Sequence, residues 1–246
     1  RTFSDALLDT EPNRLGPAFR AALFQHTGGH PLFTVELLRS LFERGDIVRD
    51  ENGHWVEGPH LDWSLLPARV EGVIAERLDR LEEALYNILC VASVEGIDFT
   101  AQVVAQVEQL AERELLKTLS QELERRHQLV EEQGELRVSR ARLWRFRFTK
   151  AVFQQYLYEG LSAGERRLLH GEIAAALETL YQDALKQIAV QLARHYDEAG
   201  ASEQAAAYLI EAGDAATQVH AYAEARRHYD RALQLLSLPR PIGPHP

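Results

Sequence analysis

The chain has 246 residues, of which 46% are hydrophobic and 26% are charged, the balance of a globular protein with a substantial core. Its net charge of -10 excludes a surface that as a whole attracts nucleic acid or anionic lipid. The single cysteine, Cys90, excludes an internal disulfide bond and favours a reducing, cytoplasmic setting. No apolar run reaches the roughly 18 residues of a membrane helix, so we expect no membrane partner. Because the chain starts at Arg1 and contains no methionine, we expect it to be a piece of a longer protein.

The first segment, residues 1 to 66, combines helices with one β-hairpin. The stretch Thr27 to Pro31 has two glycines and a proline, and it precedes a helix that is predicted to end near Gly45. Glycine lets the backbone approach a ligand, and proline favours the first turn of a helix. Further along, Asn52-Gly53 between two short apolar runs predicts a hairpin.

The second segment, residues 67 to 181, shows several helices followed by a β-hairpin, which is the order of a winged-helix domain. Strict alternation from Leu143 to Phe148 places the aromatic residues on one face and the arginines on the other. We expect residues 128–131, with a turn at Gly134, to supply the partner strand. Two more helices complete the segment.

The third segment, residues 182 to 238, is rich in helix formers and contains an internal repeat. The tetrapeptide Arg-His-Tyr-Asp occurs at 194–197 and again at 227–230, an interval of 33 residues that is close to one tetratricopeptide (TPR) unit. We therefore expect TPR-like antiparallel helical hairpins that bind a protein or small-molecule ligand. The proline-rich residues 239–246 cannot continue a helix, and they predict a disordered tail.

In this order, the elements resemble the C-terminal half of bacterial signal-transduction ATPases with numerous domains (STAND), which are AAA-like and include large transcriptional regulators. The matching stretches are 27–38, 66–81, 91–104, 146–161 and 188–236. The resemblance implies a mainly α fold, with lid helices, a winged-helix-like regulatory domain with a small β-hairpin, and TPR-like hairpins. It also implies an upstream nucleotide-binding domain and a relay of nucleotide state to an output domain in transcription regulation or signalling.

The resemblance further implies that ATP or ADP is the cofactor of the longer parent protein. Gly28, Gly29 and Pro31 would border the adenine and ribose, with the proline ring against the base. Lys150 stands where the family often has a histidine that senses the nucleotide; the alternative is a solvated lysine at a helix start. Since the chain has no Gly-x-x-x-x-Gly-Lys-Ser/Thr motif, we expect it not to be an ATPase by itself.

A second interpretation concerns the basic residues of the predicted hairpin. Residues 137 to 150 include six basic side chains and no acidic one. Four of them could contact a nucleic-acid backbone, so the chain could be a DNA-binding winged helix: Arg140, Arg142, Arg145 and Arg147. The alternative is that these arginines pair with glutamates while the aromatic face packs on the core. Glutamates within residues 113–126 disfavour that helix as a reader of the major groove.

A third interpretation is a helical-repeat scaffold for protein interaction, in which the segment from Gly28 to Pro31 is inert. The chain has ten histidines but no His-Glu-x-x-His or Cys-x-x-Cys motif, so we expect no metal site. We also expect no catalytic residues.

Overall fold

The computed structural model describes residues 3–63, 70–138 and 141–237. Two compact units divide the chain at residues 82 and 83. Helices dominate both units, and the sheets are small and antiparallel, so the predicted mainly α fold with a small β-hairpin is confirmed. The predicted tail, residues 239–246, lies outside the described residues.

The first unit contains four helices and one hairpin within its described residues. Their bounds are α1 Phe3–Leu8, α2 Pro17–Thr27, α3 Pro31–Arg44, β1 Ile47–Arg49, β2 Trp55–Glu57 and α4 Val70–Leu78. Helix α4 packs on α3 and so belongs to this unit, whereas the sequence-based boundary at 66 assigned it to the next segment. The division into three domains and a tail stays a prediction.

The short hairpin of the first unit forms where Asn52-Gly53 predicts it. Strands β1 and β2 pair antiparallel, with Val48 opposite Val56. The Asp50 carboxylate accepts hydrogen bonds from the backbone N–H groups of Asn52 and His54, each at 2.9 Å. These bonds close the loop locally, which explains why the sequence signal is sufficient.

The core of the first unit lies between α2 and α3. Phe19 and Leu23 on α2 meet Phe33, Leu37 and Leu41 on α3, and all five side chains are buried. Helix α3 ends at a left-handed Gly45, whose N–H bonds to carbonyls of the last turn, as the sequence predicts.

A buried ion pair joins α3 to α4. The Arg77 Nη1 atom donates to Glu36 Oε2 at 2.5 Å, and both side chains are buried. In this low-dielectric setting each charge depends on the other for compensation. The pair therefore fixes the place of α4 on the first unit.

We expect Glu36→Gln to lower the free energy of unfolding of the first unit by about 3 kcal/mol, because it removes the carboxylate that is bonded to the buried guanidinium of Arg77. Urea denaturation followed by circular dichroism measures this effect. Glu43→Gln is the control. It alters partly exposed pairs with Arg39 at 3.3 Å and with Arg80 at 3.6 Å, and should change the free energy by less than about 1 kcal/mol. Equal effects of the two substitutions would contradict the prediction.

The second unit begins with a helical and sheet region. Its elements are α5 Glu83–Glu95, β3 Asp98–Thr100, α6 Ala101–Val107, α7 Glu112–Thr118, a π-helical segment Leu119–Arg126, β4 Val130–Val138 and β5 Ala141–Phe148. The sheet order is β3-β5-β4. The hairpin of β4 and β5 therefore pairs with β3, a short strand that lies between α5 and α6 in the chain. This is the arrangement of a winged helix.

The predicted turn at Gly134 is wrong. Gly134 lies inside β4, at a register shift that begins after Glu132. The pairing of β4 with β5 continues past Gly134 as far as Val138, which pairs with Ala141. A glycine with φ of +95° suits a β-bulge as well as a turn, and the sequence alone does not separate the two.

The predicted alternation of buried and exposed side chains in β5 holds at the C-terminal end of the strand. Phe146 and Phe148 are buried against Phe99 of β3, with ring centroids 6.0 and 5.4 Å apart. Towards the bulge the pattern changes, since Leu143 is buried and Trp144 is only half-buried. A bulge increases the local twist of a strand pair, so strict alternation does not extend across it.

The remainder of the second unit is helical. It comprises α8 Ala151–Gly160, α9 Ala163–Leu180, a 3₁₀ turn Leu185–Ile188, α10 Ala189–Glu198, α11 Ser202–Gln218 and α12 Tyr222–Ser237. Helix α9 packs on α5, α6 and α10, and α11 packs on both α10 and α12. The repeated tetrapeptide occupies equivalent places in α10 and α12, and small residues such as Ala193 and Ala206 line the helix contacts. This arrangement is TPR-like.

The contact between α11 and α12 requires a glycine. A Cβ atom at Gly213 would lie 2.5 Å from the ring of Tyr229, whose hydroxyl donates to Asp214 at 2.7 Å. A Cβ atom at Gly171 of α9 would meet Ala199 at 3.7 Å, which is an ordinary contact.

We expect Gly213→Ala to lower the free energy of unfolding by about 1–3 kcal/mol, because the methyl group collides with the tyrosine ring. Gly171→Ala is the matched control, and we expect it to raise that free energy by about 0.5–1 kcal/mol through helix propensity. Urea denaturation of the two variants measures the difference. A stabilising effect of both alanines would show that α12 is not packed closely on α11.

Candidate functional site

The segment predicted to contact nucleotide forms the tight connection between α2 and α3. Gly28 and Gly29 have φ of +57° and +72°, a region that favours glycine. His30 is the N-cap of α3, where its Nδ1 atom accepts from the N–H of Phe33 at 3.4 Å, and the exposed Pro31 begins the helix. The local geometry therefore agrees with the residue types, while the contact with a nucleotide stays a prediction.

Lys150 belongs to the second unit. It is an exposed residue in extended conformation at the N-cap position of α8, and its side chain makes no capping hydrogen bond. This place at a strand-to-helix junction is the one that the resemblance implies. A role as nucleotide sensor stays a prediction.

Arg142 and Arg147 of the hairpin are paired with carboxylates. Arg147 donates from Nε and Nη2 to the two oxygens of Asp98 at 2.7 and 2.8 Å, and these bonds hold the pKa of Asp98 below its usual value. Arg142 lies 3.5 Å from Glu135. Arg140 lies outside the described residues. The geometry favours the ion-paired interpretation of this surface over a phosphate-binding one.

The second unit also contains a cavity that no sequence motif indicates. Its volume is about 630 Å³, within the range of small-molecule sites. Strands β3 and β5 form one side, and the 3₁₀ turn and α10 form the other. The polar residues that line it include Glu95, Asp98, Arg145, Tyr181, Gln191 and Arg194. We take this cavity and the buried polar groups behind it as the candidate site.

Glu95, the last residue of α5, is buried at the inner end of the cavity. Its two carboxylate oxygens accept from the N–H and the hydroxyl of Thr100 at 3.0 and 2.8 Å. Burial nevertheless raises the pKa of Glu95 to about 7. The Nη2 atom of Arg194 donates to the backbone oxygen of Glu95 at 2.6 Å, which ties α10 to the end of α5.

Behind the cavity, a chain of hydrogen bonds crosses three helices. Arg194 Nη2 lies 3.1 Å from His195 Nε2, the Nδ1 atoms of His195 and His170 are 2.9 Å apart, and His170 Nε2 lies 3.1 Å from the Tyr158 hydroxyl. Arginine only donates, so His195 Nε2 must accept. His195 Nδ1 then donates to His170 Nδ1, and His170 Nε2 donates to Tyr158. We call these four side chains the histidine chain.

The histidine chain requires both imidazoles to be neutral. A second proton on either ring would set two N–H groups against each other, or an N–H against the guanidinium of Arg194. Burial, together with the positive charge of Arg194, lowers the pKa of His170 to about 4 and that of His195 to about 3. At neutral pH the arrangement of protons along the chain is therefore determined.

The sequence analysis assigned these histidines no special role. The only signal is the Arg-His-Tyr-Asp repeat, which places His195 and His228 at equivalent helix positions. His228 has a side chain that is 16% exposed and lies 3.7 Å from Glu224. His195 differs from His228 in that it contacts His170 on α9. The sequence spacing of these two residues does not predict that contact.

We expect acid to destabilise the protein partly through the histidine chain. Below pH 6.5 the unfolded chain protonates both histidines, whereas the folded chain does so only near pH 4 and 3. The free energy of unfolding thus falls by up to about 1.4 kcal/mol per pH unit for each histidine as the pH drops from 6.5 to 4. Glu95 acts in the opposite direction between pH 7 and 4.5, because the folded state holds its proton at higher pH than the unfolded chain.

Urea denaturation between pH 7 and 4.5 measures this dependence. The double variant His170→Gln, His195→Gln should lose less stability on acidification than the wild type. Glu95 is present in both proteins, so it does not account for the difference. His228→Gln, at the equivalent repeat position, is the control and should keep the wild-type slope. Parallel slopes for the wild type and the double variant would mean that the pair does not carry the effect.

One Gly-x-Ser-x-Gly pattern, from Gly160 to Gly164, bears on the expectation that the chain has no catalytic residues. Ser162 is the N-cap of α9, where its Oγ accepts from the N–H of Glu165 at 3.3 Å and Glu165 accepts from the N–H of Ser162 at 2.8 Å. The pattern lies between two helices, not at the strand-to-helix turn of a nucleophile elbow. A capping box accounts for the serine.

Comparison of the chain with protein-family models, with curated proteins and with solved structures gives no match. Among the residues that the structure describes, no group of three or more His, Cys, Asp and Glu side chains is placed to hold a metal ion. Within the same residues, no helix combines the length and the apolar character that crossing a membrane requires. The functional interpretation therefore depends on the geometry above and on the resemblance.

Proposed function

We propose that this chain is the lid, winged-helix and repeat region of a STAND-type nucleotide switch, which relays nucleotide state and partner binding to an output domain. The observation that carries the proposal is the order of elements. A tight Gly-Gly-His-Pro connection opens α3, a winged-helix arrangement follows, and TPR-like helices come last. Each of these parts supports the resemblance.

In this proposal the connection before α3 contacts the base of ATP or ADP held by an upstream domain. The ring of Pro31 is exposed, so its apolar face is accessible to a flat ligand. The glycines add no side chain beside it. The chain itself brings no phosphate-binding loop, so its part in the switch is recognition and relay, not hydrolysis.

The second unit offers a physical route for the relay. Helix α10 is at once the first repeat helix and the helix whose Arg194 bonds to the end of α5. A partner that favours one position of α10 would shift the population of winged-helix arrangements. The coupling free energy would come from the difference in its contacts between the two states.

Two alternatives remain as proposals of lower rank. DNA binding by the hairpin would require Arg147 to give up two short bonds to Asp98. A plain repeat scaffold explains α10 to α12, and it gives the glycines and proline before α3 a structural role alone, in the tight connection and at the start of the helix.

We expect Pro31→Ala in the full-length parent protein to weaken ADP binding about fivefold, because the contact of one apolar ring with the base is lost. Titration with a fluorescent ADP analogue measures the dissociation constant. Pro17→Ala is the matched control, since Pro17 is an exposed proline at the start of α2. It should leave the affinity unchanged.

If Pro31→Ala and Pro17→Ala both bind ADP as tightly as the wild type, the connection before α3 is not part of a nucleotide site. If the parent protein binds neither ADP nor ATP, the nucleotide switch is excluded, and the repeat scaffold becomes the better interpretation.

A further inference from the structure

The cavity of the second unit contains an arginine with little local compensation. Arg145 of β5 has a side chain that is 44% exposed, and it lies 4.0 Å from an oxygen of Asp98. Both oxygens of Asp98 already accept short hydrogen bonds from Arg147. Among the described residues, Arg145 therefore has a weak ion pair and retains its capacity to donate to a ligand.

Arg194, the second arginine of the cavity, is held in place by two contacts. The Nη2 atom of Arg194 makes both described contacts, to the backbone oxygen of Glu95 and to His195 Nε2. The donors on Nε and Nη1 are not used in these contacts. A guanidinium fixed in this way loses less conformational entropy when it binds an anion than a mobile side chain does.

Both arginines line the cavity, together with Glu95. Burial raises the pKa of Glu95, and the positive charges of Arg194 and Arg145 oppose that rise. Two carboxyl groups also line the cavity, but Asp98 is compensated by Arg147, and the carboxyl of Glu95 is bonded to Thr100. The cavity therefore has a small excess of positive charge, which suits one negative charge better than two.

Five apolar side chains also line the cavity. Ile97 and Val190 are exposed hydrophobic side chains at the cavity, and Phe99, Leu136 and Ile188 lie beside them. A site lined by two cationic groups and by apolar side chains matches an amphipathic small molecule.

We infer that this cavity binds a small organic monoanion, with its carboxylate on Arg145 and Arg194 and its apolar part against Ile97 and Val190. The inference goes beyond the proposed nucleotide switch and is independent of it, because the site lies within the second unit and uses none of the residues before α3. A ligand here contacts β3, β5 and α10 together, so its binding restrains α10 relative to the sheet.

The test uses benzoate as the probe, with nitrogen-15 NMR of the whole chain. We expect shifts of the Nε–Hε signals of Arg145 and Arg194 but not of Arg142, with a dissociation constant on the order of 1 mM. The neutral isostere benzamide should bind about tenfold more weakly, since a charge-assisted contact is lost. Phenyl phosphate should bind more weakly than benzoate, because its second negative charge exceeds the small positive excess of the cavity.

Variants locate the site. Arg145→Gln and Arg194→Gln should each weaken benzoate binding about tenfold, whereas Arg142→Gln, on the same strand but outside the cavity, should leave it unchanged. Arg145 makes no contact that the fold depends on, so Arg145→Gln decides the matter if Arg194→Gln unfolds. Absence of benzoate binding to the wild type, or equal binding by Arg145→Gln, overturns the inference. Tighter binding of phenyl phosphate overturns the assignment to a monoanion.

Discussion

The organisation of the second unit depends on two buried histidines that must stay neutral. His170 and His195 share one hydrogen bond, and its direction is set by Arg194 at one end of the chain and Tyr158 at the other. In a low-dielectric interior such a network is stable only when every donor meets an acceptor. The consequence is a defined position of α10 on α9, and a bond from α9 to α8, which small alanine contacts alone would not define.

The same arginine connects this network to the candidate site. Arg194 bonds to the end of α5, contacts the histidine chain and lines the cavity, so these three features share one guanidinium. A molecule that binds Arg194 would directly affect the contact between α10 and α5. This is the physical basis for expecting the repeats and the winged-helix region to respond to one another, whether the input is a partner, an organic acid or the nucleotide of the proposed switch.

Local features of the fold could be predicted from the sequence because the interactions that form them are local. Asn52-Gly53 defined a hairpin whose loop closes through Asp50, and Pro31 and Gly45 marked the ends of α3. Gly134 was misassigned because a bulge and a turn both use a glycine with positive φ. Whether the chain reverses there depends on which residues of the partner strand pair, and the residue type does not carry that information.

By itself, the sequence determined the mainly helical class, the hairpins, the 33-residue repeat and the residue types before α3, since periodicity and turn chemistry act over a few residues. Only the tertiary structure decided the candidate site. Arg194 meets Glu95 across 99 residues of sequence, and His195 meets His170 across 25. Such pairs form because helix packing buries their polar groups together and each then needs a partner, a requirement that exists only after the chain has folded.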